Sequence, residues 1–261
     1  PRLWLVARHA RAVRPGEPTR PVQAALLGVA NTLALEHPEL RVSVIDTDDP
    51  GAVDTIVASG TAETRLAVRN RVRHVLRLTR VAAPATGTLR SDSTWLIVGG
   101  FGAVGLAVAR ELVAAGVRSV ALAGPRLRSV ELPGAQVRSF ACDASREDEV
   151  VAMLRELAGS SPPLRGIVHV AGVLDDAVLA GQTRERVAAV LAPKALGAAW
   201  LDRHSRHLPI EHFVLFSSSA ALVGSAAQAN HAAANAFLDS LAERRRAEGL
   251  PGLSIAWGAW G

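Results

Sequence analysis

An apolar stretch, residues 94–98, runs directly into Gly99-Gly100-Phe101-Gly102-Ala103-Val104-Gly105 and from there into an amphipathic stretch of helix length, residues 106–115. Strand, glycine loop and helix in that order constrain the fold more than any other feature of the chain. The glycines permit a tight turn and let backbone N–H groups approach a pyrophosphate at the helix N-terminus, where unpaired donors and the helix dipole favour an anion. Gly99, Gly100, Phe101, Gly102, Val104 and Gly105 are therefore the candidate cofactor cradle. A glycine turn kept only for strand-to-helix packing is the other reading of the same residues. Beyond the loop, apolar strands keep alternating with helix-length stretches, at residues 119–123, 136–141, 166–169, 212–217 and 253–257. That alternation predicts a doubly wound α/β unit over residues 94–261, a parallel sheet with helices on both faces.

Residues 1–93 read differently. They hold a strand-like stretch at 3–7, a helix-like one at 22–36, a second strand at 40–45 and a strongly alternating segment at 71–78. The pattern predicts a small α/β unit with a Pro/Gly-rich stretch at 15–21, no phosphate loop and no paired catalytic groups, hence a structural companion. Residues 82–93, with Pro84, Gly87 and several Ser and Thr, read as the linker.

With 49% hydrophobic and 20% charged residues, 261 residues can build one large core or two adjoining ones. No apolar run approaches the ~18 residues of a membrane span, and no secretory leader opens the chain. The single cysteine, Cys142, excludes an internal disulfide and any Cys-rich zinc site; a cytoplasmic domain with no metal is expected. Pro1 in place of Met, and a last residue directly after an apolar run, suggest a segment cut from a longer polypeptide. The net charge of +5 and pI near 10.9 raise the question of nucleic acid. However, the densest basic run, Arg244 to Arg246, ends a helix that Gly249 would close, where it complements the dipole. Aromatics are only 4%, and none alternates with cations as in a single-strand binder. The charge reads as ordinary surface, with no nucleic-acid partner.

Recognition of a cofactor ribose falls to the tip of the second strand, as an acid for a 2′-hydroxyl or an Arg for a 2′-phosphate. Here stand Ala123-Gly124-Pro125-Arg126. Gly124 offers no side chain and Pro125 no backbone donor, which leaves Arg126 as the candidate. The connection at residues 124–135 also holds Pro133 and Gly134, too broken for a crossover helix. A missing helix there should loosen the adenosine end of the site.

Four polar residues further along form a pattern: Lys194 in Ala192-Pro193-Lys194-Ala195, Ser218 in Phe216-Ser217-Ser218-Ser219, His231, and Asn235 four residues on. Among 29 Lys and Arg residues Lys194 is the only lysine, which a chance surface position does not explain. Spacing by four puts His231 and Asn235 on one face of a helix running to about residue 247. Singly, each has a plainer reading: a solvent-facing lysine, a strand-end hydroxyl, two satisfied polar groups near the core.

The spacing resembles the Lys, Ser, Tyr and Asn tetrad of short-chain dehydrogenase-type ketoreductases, with histidine in the tyrosine's place. Joined by Leu174-Asp175-Asp176, His169-Val170-Ala171-Gly172, Cys142-Asp143 and Trp257-Gly258-Ala259-Trp260, the chain is similar over nearly its whole length to the ketoreductase region of a modular type I polyketide synthase. The resemblance implies a Rossmann-type catalytic subdomain at 94–261 after a smaller, truncated Rossmann-like structural subdomain at 1–93, with the substrate lid outside the sequence. It implies that NADPH gives hydride to the β-carbonyl of an acyl chain held on an acyl carrier protein, while the tyrosine supplies the proton. Ser218 would hold the carbonyl oxygen, Lys194 would bind ribose and lower the tyrosine pKa, and Asn235 would help hold the lysine and a relay water. Cys142, Asp143, Ala171 and Gly172 are implied cofactor contacts. Leu174, Asp175 and Asp176 go with one hydroxyl stereochemistry in active relatives, and Val223 stands where the opposite class tends to have tryptophan. Implied partners are the carrier protein and neighbouring domains of a homodimeric synthase.

Histidine replaces tyrosine poorly. An imidazole falls roughly 2 Å short of a phenol hydroxyl, and a proton donor must come within about 3 Å of the oxygen it serves. The Lys194 cation disfavours imidazolium, and neutral imidazole is a far weaker acid than phenol. The chain contains no tyrosine anywhere. The expectation is a redox-inactive, structural domain that barely binds NADPH and leaves the β-keto group intact. Alternatives are a working reductase using His231 through a water, and a redox-silent epimerase of α-substituted β-ketoacyl chains. A Ser–His hydrolase is disfavoured, since no Gly-x-Ser-x-Gly elbow is present.

Overall fold

The computed structural model describes residues 2–82 and 89–259. Pro84 and Gly87 of the expected linker, and Trp260, lie outside the described residues. The N-terminal unit comprises β1 (Trp4–Ala7), α1 (Pro21–Glu36), β2 (Ser43–Thr47), α2 (Ala52–Ala58), β3 (Arg65–Arg69) and β4 (Val72–Val75). They form a four-stranded sheet in the order β1-β2-β3-β4, parallel except for the last, antiparallel pair. The second strand begins later than its apolar pattern suggests, because Pro38–Leu40 closes a 3₁₀ turn and Arg41 then takes a left-handed φ of 43°. The alternating segment at 71–78 is only half of a hairpin. Asn70 and Arg71, at φ 51° and 65°, make its tight turn back from β3, since two positive φ angles match the twist of the flanking strands.

The larger unit runs β5 (Thr94–Val98), α3 (Ala103–Ala114), β6 (Ser119–Gly124), β7 (Gln136–Ala141), α4 (Glu147–Ala158) and β8 (Leu164–His169). It continues with α5 (Arg184–Leu191), a π-helical turn at Ala192–Leu196, α6 (Gly197–Ser205), β9 (His212–Ser218), α7 (Ala220–Val223), α8 (Ala229–Ala247) and β10 (Leu253–Trp257). Its six strands are all parallel in the order β10-β9-β8-β5-β6-β7. The chain moves outward from β5 to β7, then returns to β8 on the other side. The carboxyl ends of β5 and β8 therefore flank a switch point, where open α/β sheets bind ligands. Strands β5 and β6 are buried along their whole length, as continuous apolar runs covered on both faces should be. No helix joins β6 to β7, as the Pro and Gly residues predict; Leu132 from that connection packs instead into the core with Leu122 and Val120.

The two units meet along α1 and α8. The alanine-rich face of α8 lets α1 approach so closely that a Cβ on Gly28 would stand 2.2 Å from the Ala232 carbonyl oxygen. Thr19 Oγ1 donates to the Ser240 carbonyl at 2.7 Å, and Arg11 pairs with Glu243 at 2.8 Å across the same junction. Gly28→Val should therefore force the helices apart and lower stability by about 2 kcal/mol or more. Denaturant unfolding checks this; an unchanged midpoint would mean the junction is slack. One expectation is corrected here. The 244–246 arginine run is not all surface: Arg245 is 1% exposed, its guanidinium 3.8 Å from the Phe213 ring and bonded to Asp202.

Candidate functional site

At the switch point lies a groove of about 630 Å³. Gly99, Gly102, Val104 and Gly105 line it from the glycine loop, Cys142 and Asp143 from the end of β7, Ala171 and Gly172 from the end of β8. Gly99 takes φ +86°, and a Cβ there would sit 2.7 Å from the Ala171 nitrogen, so only glycine lets the loop lie against the segment after β8. The Gly99 and Gly100 N–H groups both donate to the Ala123 carbonyl, and that of Gly102 to Gly99. These three amides are thus spent on the turn itself. The donors left for an anion are those of the first turn of α3, Ala103, Val104 and Gly105, ahead of the first bond to Gly102 from Leu106.

Three expected cradle residues do not line the groove. Gly100 is packed beneath the loop, where a Cβ would meet the Ile97 carbonyl oxygen at 2.7 Å. Phe101 is 7% exposed and turns its ring into the core; a Cβ on Gly124 would come within 2.9 Å of that ring. Arg126 is exposed beyond the groove, which Gly124 and Pro125 line in its place. The Cys142 thiol is pushed up to about 11, by burial first and nearby carboxylates second, and is chemically quiet. Asp143 spends its carboxylate locally, accepting from the Ser145 N–H and hydroxyl at 2.9 and 2.7 Å.

The four polar residues come from three elements. Lys194 projects from the π-helical turn, is 7% exposed, and donates from Nζ to the Phe216 carbonyl at 3.0 Å. Burial lowers its pKa to about 8, which the Asp239 carboxylate partly offsets. A Cβ on Gly172 would lie 3.5 Å from Nζ, so the ammonium stands at the groove. Ser218 ends β9 beside Trp257 of β10, and its Oγ accepts from the Ala220 N–H at 3.2 Å. His231 lies in the first turn of α8, where its N–H donates to Asn230 Oδ1 at 2.7 Å. Its imidazole is lowered to about 4, chiefly by burial, then by the Lys194 cation, with Asp176 opposing. Asn235 is fully buried and donates from Nδ2 to the His231 carbonyl at 2.8 Å; its Oδ1 is a buried acceptor without a protein partner.

Three further groups hold this cluster and were not anticipated. His169 Nε2 donates to the Lys194 carbonyl at 2.9 Å, which fixes the turn that delivers the lysine. Asp239, four residues after Asn235 on α8, accepts from Ser254 Oγ at 2.6 Å, and its negative charge acts on Lys194. Phe216 contributes its carbonyl. Spacing along α8 could have flagged Asp239; nothing local marks His169 beyond its place in the His-Val-Ala-Gly run.

At the mouth, next to the groove-lining Val173, Leu174 is 64% exposed; Val223, 60% exposed, does not line the groove. Asp175 is ion-paired with Arg186, and its carbonyl accepts from Asn230 Nδ2 at 2.8 Å. Asp176 accepts from Gln228 Nε2 at 2.9 Å. Among the described residues no group of three or more His, Cys, Asp or Glu could hold a metal ion, and no helix is long and apolar enough to cross a membrane.

A doubly wound sheet, a glycine-loop groove and a Lys–Ser–Asn cluster beside it define a Rossmann-type short-chain dehydrogenase fold. Residues 93–261 match the KR domain family, and residues 1–78 match the Rossmann fold domain of polyketide synthase extender module SpnB. Polyketide synthase GfsA of Streptomyces halstedii is 42% identical over 282 residues, covering 99% of this chain and 4% of that protein. Spectinabilin polyketide synthase system protein NorA of Streptomyces orinoci is 37% identical over 278 residues, covering 99% of this chain and 14% of that one. The chain thus spans a small part of either synthase protein. The solved A-type ketoreductases from a modular polyketide synthase superpose with a TM-score of 0.90 at 35% identity, covering 100% of this chain and 59% of theirs. A C2-type ketoreductase follows at 0.85 and 33%, covering 99% and 60%. The chain belongs to the ketoreductase domains of modular type I polyketide synthases.

Proposed function

We propose that this domain is redox-inactive and keeps its place in a synthase as a structural element, leaving the β-keto group of a carrier-bound acyl chain unreduced. The reading rests on His231: the family resemblance aligns it with the proton-donating tyrosine, and its imidazole is depressed to about 4 by burial and by Lys194. At neutral pH it carries no acidic proton of useful strength, and it is roughly 2 Å shorter than a phenol, against the ~3 Å reach general-acid transfer requires. The partners proposed with it are an acyl carrier protein and neighbouring domains of a homodimeric synthase in the cytoplasm.

The groove fits a dinucleotide at its pyrophosphate end, where the first turn of α3 offers backbone donors to an anion. At the ribose end the fit is incomplete, because Gly124 and Pro125 line the groove and present no cation to a 2′-phosphate. NADPH, when bound, would supply hydride; Lys194 would hold the ribose hydroxyls, and Ser218 would orient the ketone oxygen. No side chain here then completes the proton transfer.

The titration of His231 tests the electrostatic half of this reading. Followed by imidazole NMR, its midpoint should lie near 4, and Lys194→Met should raise it. Because the folded pKa is depressed below the unfolded ~6.5, the stability this imidazole contributes is complete above that value and is lost as pH falls toward 4. A midpoint at or above 6.5 would give His231 a transferable proton near neutrality and remove the basis for inactivity.

A further inference from the structure

Glu36 ends α1 in the N-terminal unit, yet its carboxylate serves two loops of the catalytic unit. Oε2 accepts the Leu179 N–H at 2.7 Å, and Oε1 accepts the Ala227 N–H at 2.8 Å. The first loop carries Leu174, Asp175 and Asp176. The second leads directly into α8 and His231. Between the loops themselves run further bonds, from the Ala177 N–H to the Ala227 carbonyl at 2.8 Å and from the side chains of Gln228 and Asn230 to Asp176 and Asp175.

The same end of α1 holds the start of the second loop. Thr32 Oγ1 donates to the Ser225 carbonyl at 3.1 Å, and Asn31 Nδ2 donates to that of Ala221 at 2.8 Å. Gly224, at φ +81°, lies so near that a Cβ would meet the Asn31 carbonyl oxygen at 2.6 Å. Ala227 itself sits at φ +64°, a left-handed conformation that a residue with a Cβ keeps only when its surroundings hold it there. Among the described residues no cation pairs with Glu36. Its partly buried carboxylate accepts from two backbone amides, and hydrogen bonds to an ionised acceptor are the strong ones.

We propose that Glu36 is a positioning residue, a clasp by which the N-terminal subdomain joins the two loops at the mouth and fixes the first turn of α8 with His231. The N-terminal unit then does more than support the sheet: it sets the opening through which an acyl chain would reach Lys194 and Ser218. Only that consequence for substrate rests on the function proposed above; the clasp stands without it.

Amide hydrogen exchange tests the clasp in the unmodified chain and in two variants. In the parent, the Leu179 and Ala227 amides should be protected, and exchange at free-peptide rates would overturn the proposal. In Glu36→Ala both should exchange at least tenfold faster. In Glu36→Gln, whose amide group accepts through one oxygen only, one of the two should do so. Core amides such as those of Leu96 and Ile97 should keep their rates, while the His231 imidazole resonances shift. A uniform rise that includes the core, or unmoved His231 resonances, would reduce Glu36 to a contributor to overall stability and sink the proposal. Should Glu36→Ala fail to fold, Glu36→Gln and the parent rates decide. A second readout uses His231→Tyr as background: adding Glu36→Gln should raise KM for a β-ketoacyl thioester severalfold with little change in kcat. If that background proves inactive, the 124–135 connection is defective as well as residue 231, and the exchange result still judges the clasp.

Discussion

His231→Tyr is expected to create an NADPH-consuming reductase of β-ketoacyl thioesters, at a rate ~10²-fold or more above the parent. The other residues proposed for the reaction are present. Lys194 is buried against the Phe216 carbonyl, with its pKa near 8. Ser218 stands at the end of β9, and Asn235 holds the backbone of residue 231. A phenol at that position gains the length and the acidity that imidazole lacks, and the Lys194 cation that weakens imidazolium instead favours phenolate. The gain should appear at saturating cofactor, because Gly124 and Pro125, which line the ribose end of the groove, offer no cation. A folded variant that still fails to reduce would place the defect in the 124–135 connection rather than at residue 231.

Asp202→Asn is expected to cost about 3–5 kcal/mol of stability, as loss of one partner from a buried ion pair does. Asp202, 2% exposed on α6, accepts from Arg245 at 2.5 Å, Arg244 at 2.7 Å and Arg206 at 2.9 Å. Arg245 is equally buried, and its Nε donates to the Pro251 carbonyl ahead of β10. Without the carboxylate, the buried guanidinium loses its ion-pair partner and keeps the Arg206 and Arg244 cations beside it, with only the half-exposed Glu248, paired to Arg206 at 2.7 Å, as a negative charge nearby. Burial pushes the Asp202 carboxyl up, but Arg206 and Arg245 more than reverse this, so it lies below the usual carboxylate range. Its stabilisation is therefore complete above an unfolded value of ~4 and is lost as pH falls through the lower folded one. Urea unfolding of parent and variant at pH 7 measures the difference; a change under about 1 kcal/mol would mean the cluster is solvated like a surface pair.

Strand, glycine loop and first helix were legible because local sequence determines them: buried strands are continuous apolar runs, and a turn pressed against a neighbouring backbone demands glycine. Missing from that reading were β3 and α2. Strand β3 hides its pattern behind Arg65 and Arg69, and Arg69 is 5% exposed only because Asp46 and Glu17 pair with it, which no short-range periodicity reveals. Phe101 was placed in the groove by its position in the motif, whereas its ring direction is set by the space beneath Gly124 on another strand. Arg126, after a proline at the strand tip, is exposed, and Gly124 and Pro125 line the groove there instead. Contacts between distant segments were the least visible. Glu36 meets partners 143 and 191 residues away, and nothing around it in sequence announces a role at the mouth.

The proposed inactivity means that no proton reaches a reduced ketone here, so no hydride transfer is completed. Mass spectrometry of a β-ketoacyl thioester incubated with the unmodified domain and with NADPH deuterated at its hydride-donating carbon measures this directly. The keto thioester should be recovered with no deuterium at the β-carbon beyond an enzyme-free control. A deuterated β-hydroxy product formed over repeated turnovers by the domain with His231 in place would contradict it.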